Sequence, residues 1–356
     1  MRRPDPAVWR GRSVFVTGHN GFKGAWLVVA LDALGARVHG YSLADGAARS
    51  GFGPMRCGDA LAGETLADIR DASRLESALA DARPSVVFHL AAQAIVAEGL
   101  RDPVGTFTSN VTGTLNVLEA ARRCATVAAV VAVTSDKVYR NDGAGRAFRE
   151  DDPLGGTDPY SASKAAAELA IGAWRESLGR DGPPVCAARA GNVIGGGDFG
   201  AGRIVPDIAR SLANGHPLSV RNPDSTRPFQ YVGDVLRGYL LAAERLLERG
   251  GDMPPALNFG PRGRESTVGA LLGDWQACAG RPVAWRHEPV PALRESSRLA
   301  LDSTLAASTL DWQPEFDLRS GVGRCVAWYE RWLDGRPMAG FGRDEAAAWL
   351  GLRPGE

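Results

Sequence analysis

Along the first half of the chain, apolar residues gather in short unbroken runs, and stretches with helical spacing separate them. The runs cover 13–17, 36–41, 85–90, 127–133 and 184–189; the helical stretches cover 22–34, 71–82, 110–123 and 160–178. A strand without polar alternation is covered on both faces, which is the setting of a parallel sheet between two helical layers. Strand and helix in alternation predict βαβ units, and so an α/β fold built on a doubly wound parallel sheet. Beyond residue 190 the pattern loosens. Glycine and proline become frequent (Gly195-Gly196-Gly197, Pro217, Pro223, Pro228) and the helices shorten. The predicted organisation is a first domain over 1–190 and a smaller, mixed domain over 191–356. The chain is expected to return to the first domain near 228–260, where Leu257-Asn258-Phe259-Gly260 reads as a late strand.

The turn after the first run reads Thr17-Gly18-His19-Asn20-Gly21-Phe22-Lys23-Gly24. Gly18 permits a tight turn, Gly21 lets backbone approach a pyrophosphate, and Gly24 lets the helix pack close to the sheet. The helix amino terminus then offers N–H groups to the anion. The loop Gly18, Asn20, Gly21, Phe22, Lys23 and Gly24 is therefore the candidate dinucleotide site, and 1–190 a Rossmann-type cofactor domain. Asp68 and Ile69 are candidates to cap an adenine ring, with Ala91, Ala92 and Gln93 at the end of the fourth run beside the cofactor. The second run ends Val38-His39-Gly40-Tyr41-Ser42, without the acid that grips an NAD ribose; Asp45 is the nearest. No arginine stands there for a 2′-phosphate, so NAD is the expected cofactor and NADP stays open. Lys23 and His19 are expected to add positive charge beside the phosphates.

Two further runs carry chemistry. Thr134-Ser135-Asp136-Lys137 follows a buried strand, at the carboxyl end where open parallel sheets bind ligands. Tyr160 and Lys164 stand one helical turn apart and share a face. An ammonium there is expected to lower the phenol from its usual ~10 and make tyrosinate a base for hydride-transfer chemistry. Asp136 is not needed for a simple oxidation and points to chemistry beyond it.

Composition narrows the rest. Lysine plus arginine and aspartate plus glutamate number 41 each, so a general attraction to nucleic acid or an anionic membrane is not expected. No apolar run approaches the ~20 residues of a membrane span. Five scattered cysteines without a CxxC pair argue for reduced thiols and against a disulfide frame or a metal site. The polar, proline-containing start (residues 1–12) does not read as a secretory signal, and a cytoplasmic protein is expected.

With Gly18, Gly21, Gly24, Thr134, Tyr160 and Lys164 in this order, the chain resembles the extended short-chain dehydrogenase/reductase family that acts on nucleotide sugars. Within that family, Thr134-Ser135-Asp136-Lys137 looks like the threonine and acid/base pair of the 4,6-dehydratases. Lys137, where other dehydratases carry glutamate, is similar to the branch acting on CDP-glucose. The runs Ala188-Arg189-Ala190-Gly191-Asn192-Val193-Ile194-Gly195-Gly196-Gly197-Asp198, Arg221-Asn222-Pro223-Asp224 and Arg227-Pro228 add to that likeness.

The resemblance implies Thr134, Asp136, Lys137, Tyr160 and Lys164 as catalytic residues. The base is Lys137 or another group, since a lysine near its ordinary ~10.4 cannot accept a proton at neutral pH. A nucleoside diphosphate calls for arginine, with Asn192, Arg203, Arg227 and Arg298 the candidates; Asn192 and Arg227 match the family's diphosphate positions. A homodimer or homotetramer is implied through the helices over 110–123 and 160–178. A 4-epimerase, a dehydratase of another nucleotide sugar and a non-catalytic redox sensor remain as alternatives.

Overall fold

A computed structural model describes residues 1–141, 143, 145–178, 181–263, 265–288 and 299–352. Seven strands form one parallel sheet: β1 (Ser13–Thr17), β2 (Arg37–Ser42), β3 (Leu61–Leu66), β4 (Val86–His89), β5 (Ala129–Val133), β6 (Val185–Ala190) and β7 (Ala256–Phe259). Their spatial order is β7-β6-β5-β4-β1-β2-β3, every neighbouring pair parallel. The direction of winding reverses between β1 and β4. This is the expected doubly wound α/β sheet.

β1, β4, β5 and β6 are buried almost without interruption, because helices cover both faces. One layer holds Phe22–Ala33, Val232–Arg249 and the late helix Ala339–Leu350. The other holds Ala72–Ala82, Gly113–Arg123 and Pro159–Leu178. Phe22–Ala33 has no polar face. Residues Gly24 to Leu31 are all buried between the sheet and two neighbouring helices, which is why its sequence reads as an apolar block. Among the described residues no helix is long and apolar enough to cross a membrane.

β3 was not expected from the sequence. It is the edge strand, and its residues alternate half-buried with exposed, so Leu-Ala-Gly-Glu-Thr-Leu contains no apolar run to announce it. After β6 the chain makes short two-stranded pairs before β7: Val193–Ile194 with Gln230–Tyr231, and Thr226–Arg227 with the later Ser266–Thr267. The helix Ile204–Asn214 lies in the same excursion, and Leu218–Val220 pairs with Trp285–His287.

A buried ionic network ties the carboxyl ends of β5, β6 and β7 together. Glu168, one turn beyond Lys164 on its helix, pairs with Arg189 of β6; their side chains are 3% and 5% exposed. Arg189 Nε donates to both carboxylate oxygens at 2.9 and 2.8 Å, and Nη2 adds a third bond. Thr134 donates its hydroxyl to the same carboxylate. On its other side Arg189 Nη1 donates to the Tyr139 hydroxyl at 2.7 Å and to the Glu150 carbonyl at 3.0 Å. Tyr139 in turn donates to Asn258 of β7 at 2.6 Å.

A pair this buried is held only while both charges are present, since either alone would be stranded in a low-dielectric interior. Glu168→Ala is expected to lower unfolding stability by about 3–5 kcal/mol. Replacing both partners with apolar residues (Glu168→Leu with Arg189→Met) should recover most of that loss. Urea denaturation followed by tryptophan fluorescence checks both.

Candidate active site

The glycine loop forms a cradle that side chains would fill. Gly18 has φ +71°, and a Cβ there would stand 2.7 Å from the Ala91 nitrogen; a Cβ on Gly24 would stand 2.0 Å from the Gly18 carbonyl oxygen. Gly21 caps the helix Phe22–Ala33 with no side-chain hydrogen bond, so the first N–H groups of that helix face the loop. Bare backbone at a helix amino terminus, at the point where strand order reverses, fits the pyrophosphate of a dinucleotide. The Phe22 ring packs beneath Gly195, where a Cβ would come within 3.0 Å of it.

Other loop residues have partners within the protein. Asn20 is buried; its amide donates to the Leu43 carbonyl at 2.7 Å and its oxygen accepts from Ser42 at 2.6 Å, which pins the segment after β2. Ser42 thus stands at the strand end where the ribose acid was sought, with its hydroxyl already used. His19 is turned under Gly40, its Nε2 2.7 Å from a Glu64 oxygen of β3, so it is partnered by a carboxylate rather than aimed at phosphate.

Asp68 holds Arg70 at 2.6 Å and accepts the Tyr41 hydroxyl on its carbonyl, while Ile69 packs on Gly113. Ala91 places its backbone against Gly18 and donates its N–H to Thr17 at 3.2 Å; Ala92 follows, half-buried. Gln93 spends its side chain on Thr106 at 2.8 Å and on the Ile95 N–H at 2.5 Å. The buried Asn110 amide donates to the Gln93 carbonyl at 3.0 Å and to Ser163 at 2.8 Å, joining this loop to the Tyr160 helix. Asn110 carries no motif, and nothing in the sequence singles it out.

At the end of β5 the hydroxyl that acts on the Tyr160 phenol, pulling its pKa down, is that of Ser135. Thr134 is turned the other way, onto Glu168. Successive side chains of an extended segment leave on opposite sides, so the partner of Thr134 decides the direction of Ser135. Ser135 also donates to Asp136 at 3.1 Å. Asp136 is 3% exposed, and its second oxygen has no hydrogen-bond partner. Burial raises its pKa to about 6, against the opposing pull of Lys137, Ser135 and Arg227. The Lys137 ammonium lies 6.0 Å from the centre of the Tyr160 ring.

Tyr160 and Lys164 face the same pocket, but the phenol is not lowered as the sequence led one to expect. Burial pushes it up and Asp136 adds to this, with Ser135 and Arg203 pulling down. Lys164 directs its ammonium to the Val133 carbonyl at 3.2 Å, and burial lowers it to about 8.

Two of the four candidate substrate residues reach this cluster. Arg203 binds both Asp198 oxygens at 3.1 and 2.9 Å and acts electrostatically on Tyr160. Arg227, on a short strand, acts on Asp136. Asn192 follows β6, its carbonyl accepting from the Gln230 N–H at 3.0 Å. Arg298 lies outside the described residues. Tyr239 completes the cluster: its hydroxyl lies 3.3 Å from Lys23 Nζ, yet in the sequence it is one apolar position of a long helix.

The chain is 39% identical over 341 residues to a CDP-glucose 4,6-dehydratase of Salmonella typhimurium, covering 94% of this chain and 95% of that protein. It is 30% identical to a UDP-glucose 4-epimerase of Mycolicibacterium smegmatis, over 88% of this chain and 97% of that one. The crystal structure of Thermus thermophilus UDP-glucose 4-epimerase in complex with NAD superposes with a TM-score of 0.77 at 28% identity, over 89% of this chain and 98% of that chain. The family model described as NAD dependent epimerase/dehydratase matches residues 14–254. With a glycine cradle at the sheet's switch point and Tyr160, Lys164 and Asp136 gathered at its edge, this chain belongs to the NAD dependent epimerase/dehydratase family.

Proposed function

We propose that the chain is a lyase that dehydrates a nucleotide sugar, converting CDP-glucose to CDP-4-keto-6-deoxyglucose and water. The observation that carries this reading is Asp136: a buried carboxyl beside Tyr160, raised to about 6 and so available as an acid near neutrality. The extent of the likeness to the Salmonella enzyme supports CDP-glucose as the substrate.

Gly18, Gly21 and Gly24 would hold the cofactor's pyrophosphate. When bound, NAD accepts hydride from the sugar C4 and returns it at C6. In its phenolate form Tyr160 would take the C4 hydroxyl proton, with Ser135 and Arg203 favouring that form against burial and Lys164 behind. The resulting ketone acidifies the C5 hydrogen. A base takes that proton and gives one back to C5 as hydride arrives at C6; Lys137, half-buried over the Tyr160 ring, is that base or steadies the enolate by its charge. Asp136 gives its proton to the departing C6 hydroxyl. Arg203 and Arg227 meet the diphosphate.

Catalytic and substrate assignments keep Thr134 as a support through Glu168 and add Ser135. The division into a cofactor part (1–190) and a substrate part (191–356) belongs to the same proposal, as does a cytoplasmic setting.

Purified protein with CDP-glucose and trace NAD should form a product with the absorbance of a 4-keto sugar in base, without accumulating NADH. Recovery of CDP-galactose instead would replace the dehydratase with an epimerase. Asp136→Asn should reduce dehydration by about 10²-fold or more, the usual worth of a general acid. Because Asp136 acts in its protonated form, the native elimination rate should fall as pH rises above about 6.

Lys137→Ala should slow loss of the C5 hydrogen while C4 oxidation persists, visible as a rise in enzyme-bound NADH absorbance. An unchanged dehydration rate would remove Lys137 from the mechanism.

A homodimer is proposed through the face of helices Val96–Arg101, Pro103–Phe107, Gly113–Arg123 and Pro159–Leu178. These helices leave Leu100, Val104, Phe107, Leu115 and Leu169 exposed, five of the ten exposed large apolar side chains among the described residues. Leu169→Glu should shift sedimentation from dimer toward monomer without loss of secondary structure; an unchanged sedimentation coefficient would reject this face.

A further inference from the structure

The run Gly195-Gly196-Gly197-Asp198 lies between β6 and Arg203, and each of its residues is fastened to the cofactor half of the molecule. Gly195 lies on the Phe22 ring, and the Gly196 carbonyl accepts from Trp26 Nε1 at 2.8 Å; both aromatic residues belong to the helix that opens at the glycine loop. The Gly197 carbonyl accepts from the Gly51 N–H at 2.7 Å, and Asp198 pairs with Ser50 in an antiparallel bridge. Gly197 has φ +76°, and a Cβ there would stand 2.9 Å from the Gly51 Cα, so a side chain would force this seam apart. Ser50 carries the connection into the glycine loop itself, where its hydroxyl donates to the Asn20 carbonyl at 2.6 Å.

Asp198 turns this seam toward the substrate side. Its side chain is 5% exposed, its carbonyl accepts the Tyr329 hydroxyl at 2.5 Å, and one carboxylate oxygen accepts the Gly200 N–H at 3.0 Å. Held in this way, the carboxylate receives Arg203 Nη1 on both oxygens. Among the described residues Arg203 Nε and Nη2 have no hydrogen-bond partner, which leaves them for phosphate oxygens. Arg203 is thus aimed by a residue that is itself anchored to the cofactor loop.

Hydride passes between two carbons that are each carried on a diphosphate: the nicotinamide on the one in the glycine cradle, the sugar on the one that meets Arg203. Their separation therefore depends on the distance between two anion sites. We propose that Asp198 is a positioning residue for hydride transfer, which fixes Arg203, and with it the substrate diphosphate, relative to the glycine loop through Ser50. Neither Asp198 nor Ser50 needs to touch a reacting atom. A misplacement on the order of 1 Å costs about 10²-fold in rate, whereas affinity requires only that Arg203 reach the diphosphate. This assignment rests on the proposed C4 oxidation and on none of the later steps.

Turnover of CDP-glucose with NAD is compared in the wild type, Asp198→Asn and Ser50→Ala. Rates are expressed per CDP-binding site from isothermal titration, so that any misfolded fraction drops out. Asp198→Asn keeps the shape of the side chain and loses the charge that holds Arg203. Its kcat should fall by about 10²-fold while CDP affinity does not fall. Deuterium at the sugar C4 should slow this variant by a larger factor than the wild type, because C–H cleavage has become the slow step. Ser50→Ala leaves the Arg203 pair intact and should show the same pattern to a smaller degree. Loss of CDP affinity with kcat unchanged would make Asp198 an aid to binding alone and overturn the proposal. A fall in kcat with an isotope effect no larger than that of the wild type would overturn it too, by placing the fault in another step. A wild type that yields CDP-galactose would overturn the dehydratase reading and not this one, since epimerisation also begins with C4 oxidation and the same variants decide it.

Discussion

The arrangement of the whole catalytic edge depends on the buried pair Glu168–Arg189. Burying two charges is expensive, and it is offset here because nearly every polar atom finds a partner: three bonds join the pair, and Thr134, Tyr139 and the Glu150 carbonyl take the remaining valences. Such a network admits few alternative geometries. It fixes the helix that carries Tyr160 and Lys164 against the segment that carries Ser135 and Asp136. The distance between proton acceptor and proton donor is thus set by residues that touch neither substrate nor cofactor.

Electrostatics then sorts the groups in the pocket. Burial disfavours every charged form, which raises Asp136 and Tyr160 and lowers Lys23 and Lys164. Repulsion by Lys164 and Arg203 pushes Lys23 further in the same direction, whereas Glu168 opposes the fall of Lys164. The acid that must donate a proton and the two buried amines are brought toward the same range of pH. A solvent-facing site would leave these groups several units apart.

Much of the fold was legible because burial on both faces erases polar alternation, and five of the seven strands are buried in that way. β3 escaped because an edge strand keeps its alternation and a mixed composition. Within the site, the glycine cradle could be read because only glycine tolerates the contacts at Gly18 and Gly24. The choice between Thr134 and Ser135 could not. Both are small hydroxyl residues, and their directions follow from Glu168, 34 residues later in sequence. Asn20 and His19 also have long-range partners (Leu43 and Ser42, and Glu64) that their position in the loop does not reveal. The phenol of Tyr160 was misjudged for a related reason: spacing on a helix reveals that Lys164 is near, not that its ammonium is held by the Val133 carbonyl.

The same network also reaches the irregular part of the chain. The excursion that carries Arg203 and Arg227 leaves the sheet just beyond Arg189 of β6 and rejoins it at β7, where Asn258 receives the Tyr139 hydroxyl. Both ends of the excursion are therefore clamped to one set of hydrogen bonds, which runs from Asn258 through Tyr139 and Arg189 to Glu168. Asn258 adds bonds to the Phe148 carbonyl at 3.0 Å and from its own N–H to Glu150 at 2.7 Å, which closes the set. A flexible insertion could not hold two arginines in register with a buried acid, because fixing each long side chain costs entropy that only a rigid base can offset. Here the base is rigid at both ends. Arg203 and Arg227 act on Tyr160 and Asp136 across the pocket because the pair that positions the reacting groups also positions the loops that face them.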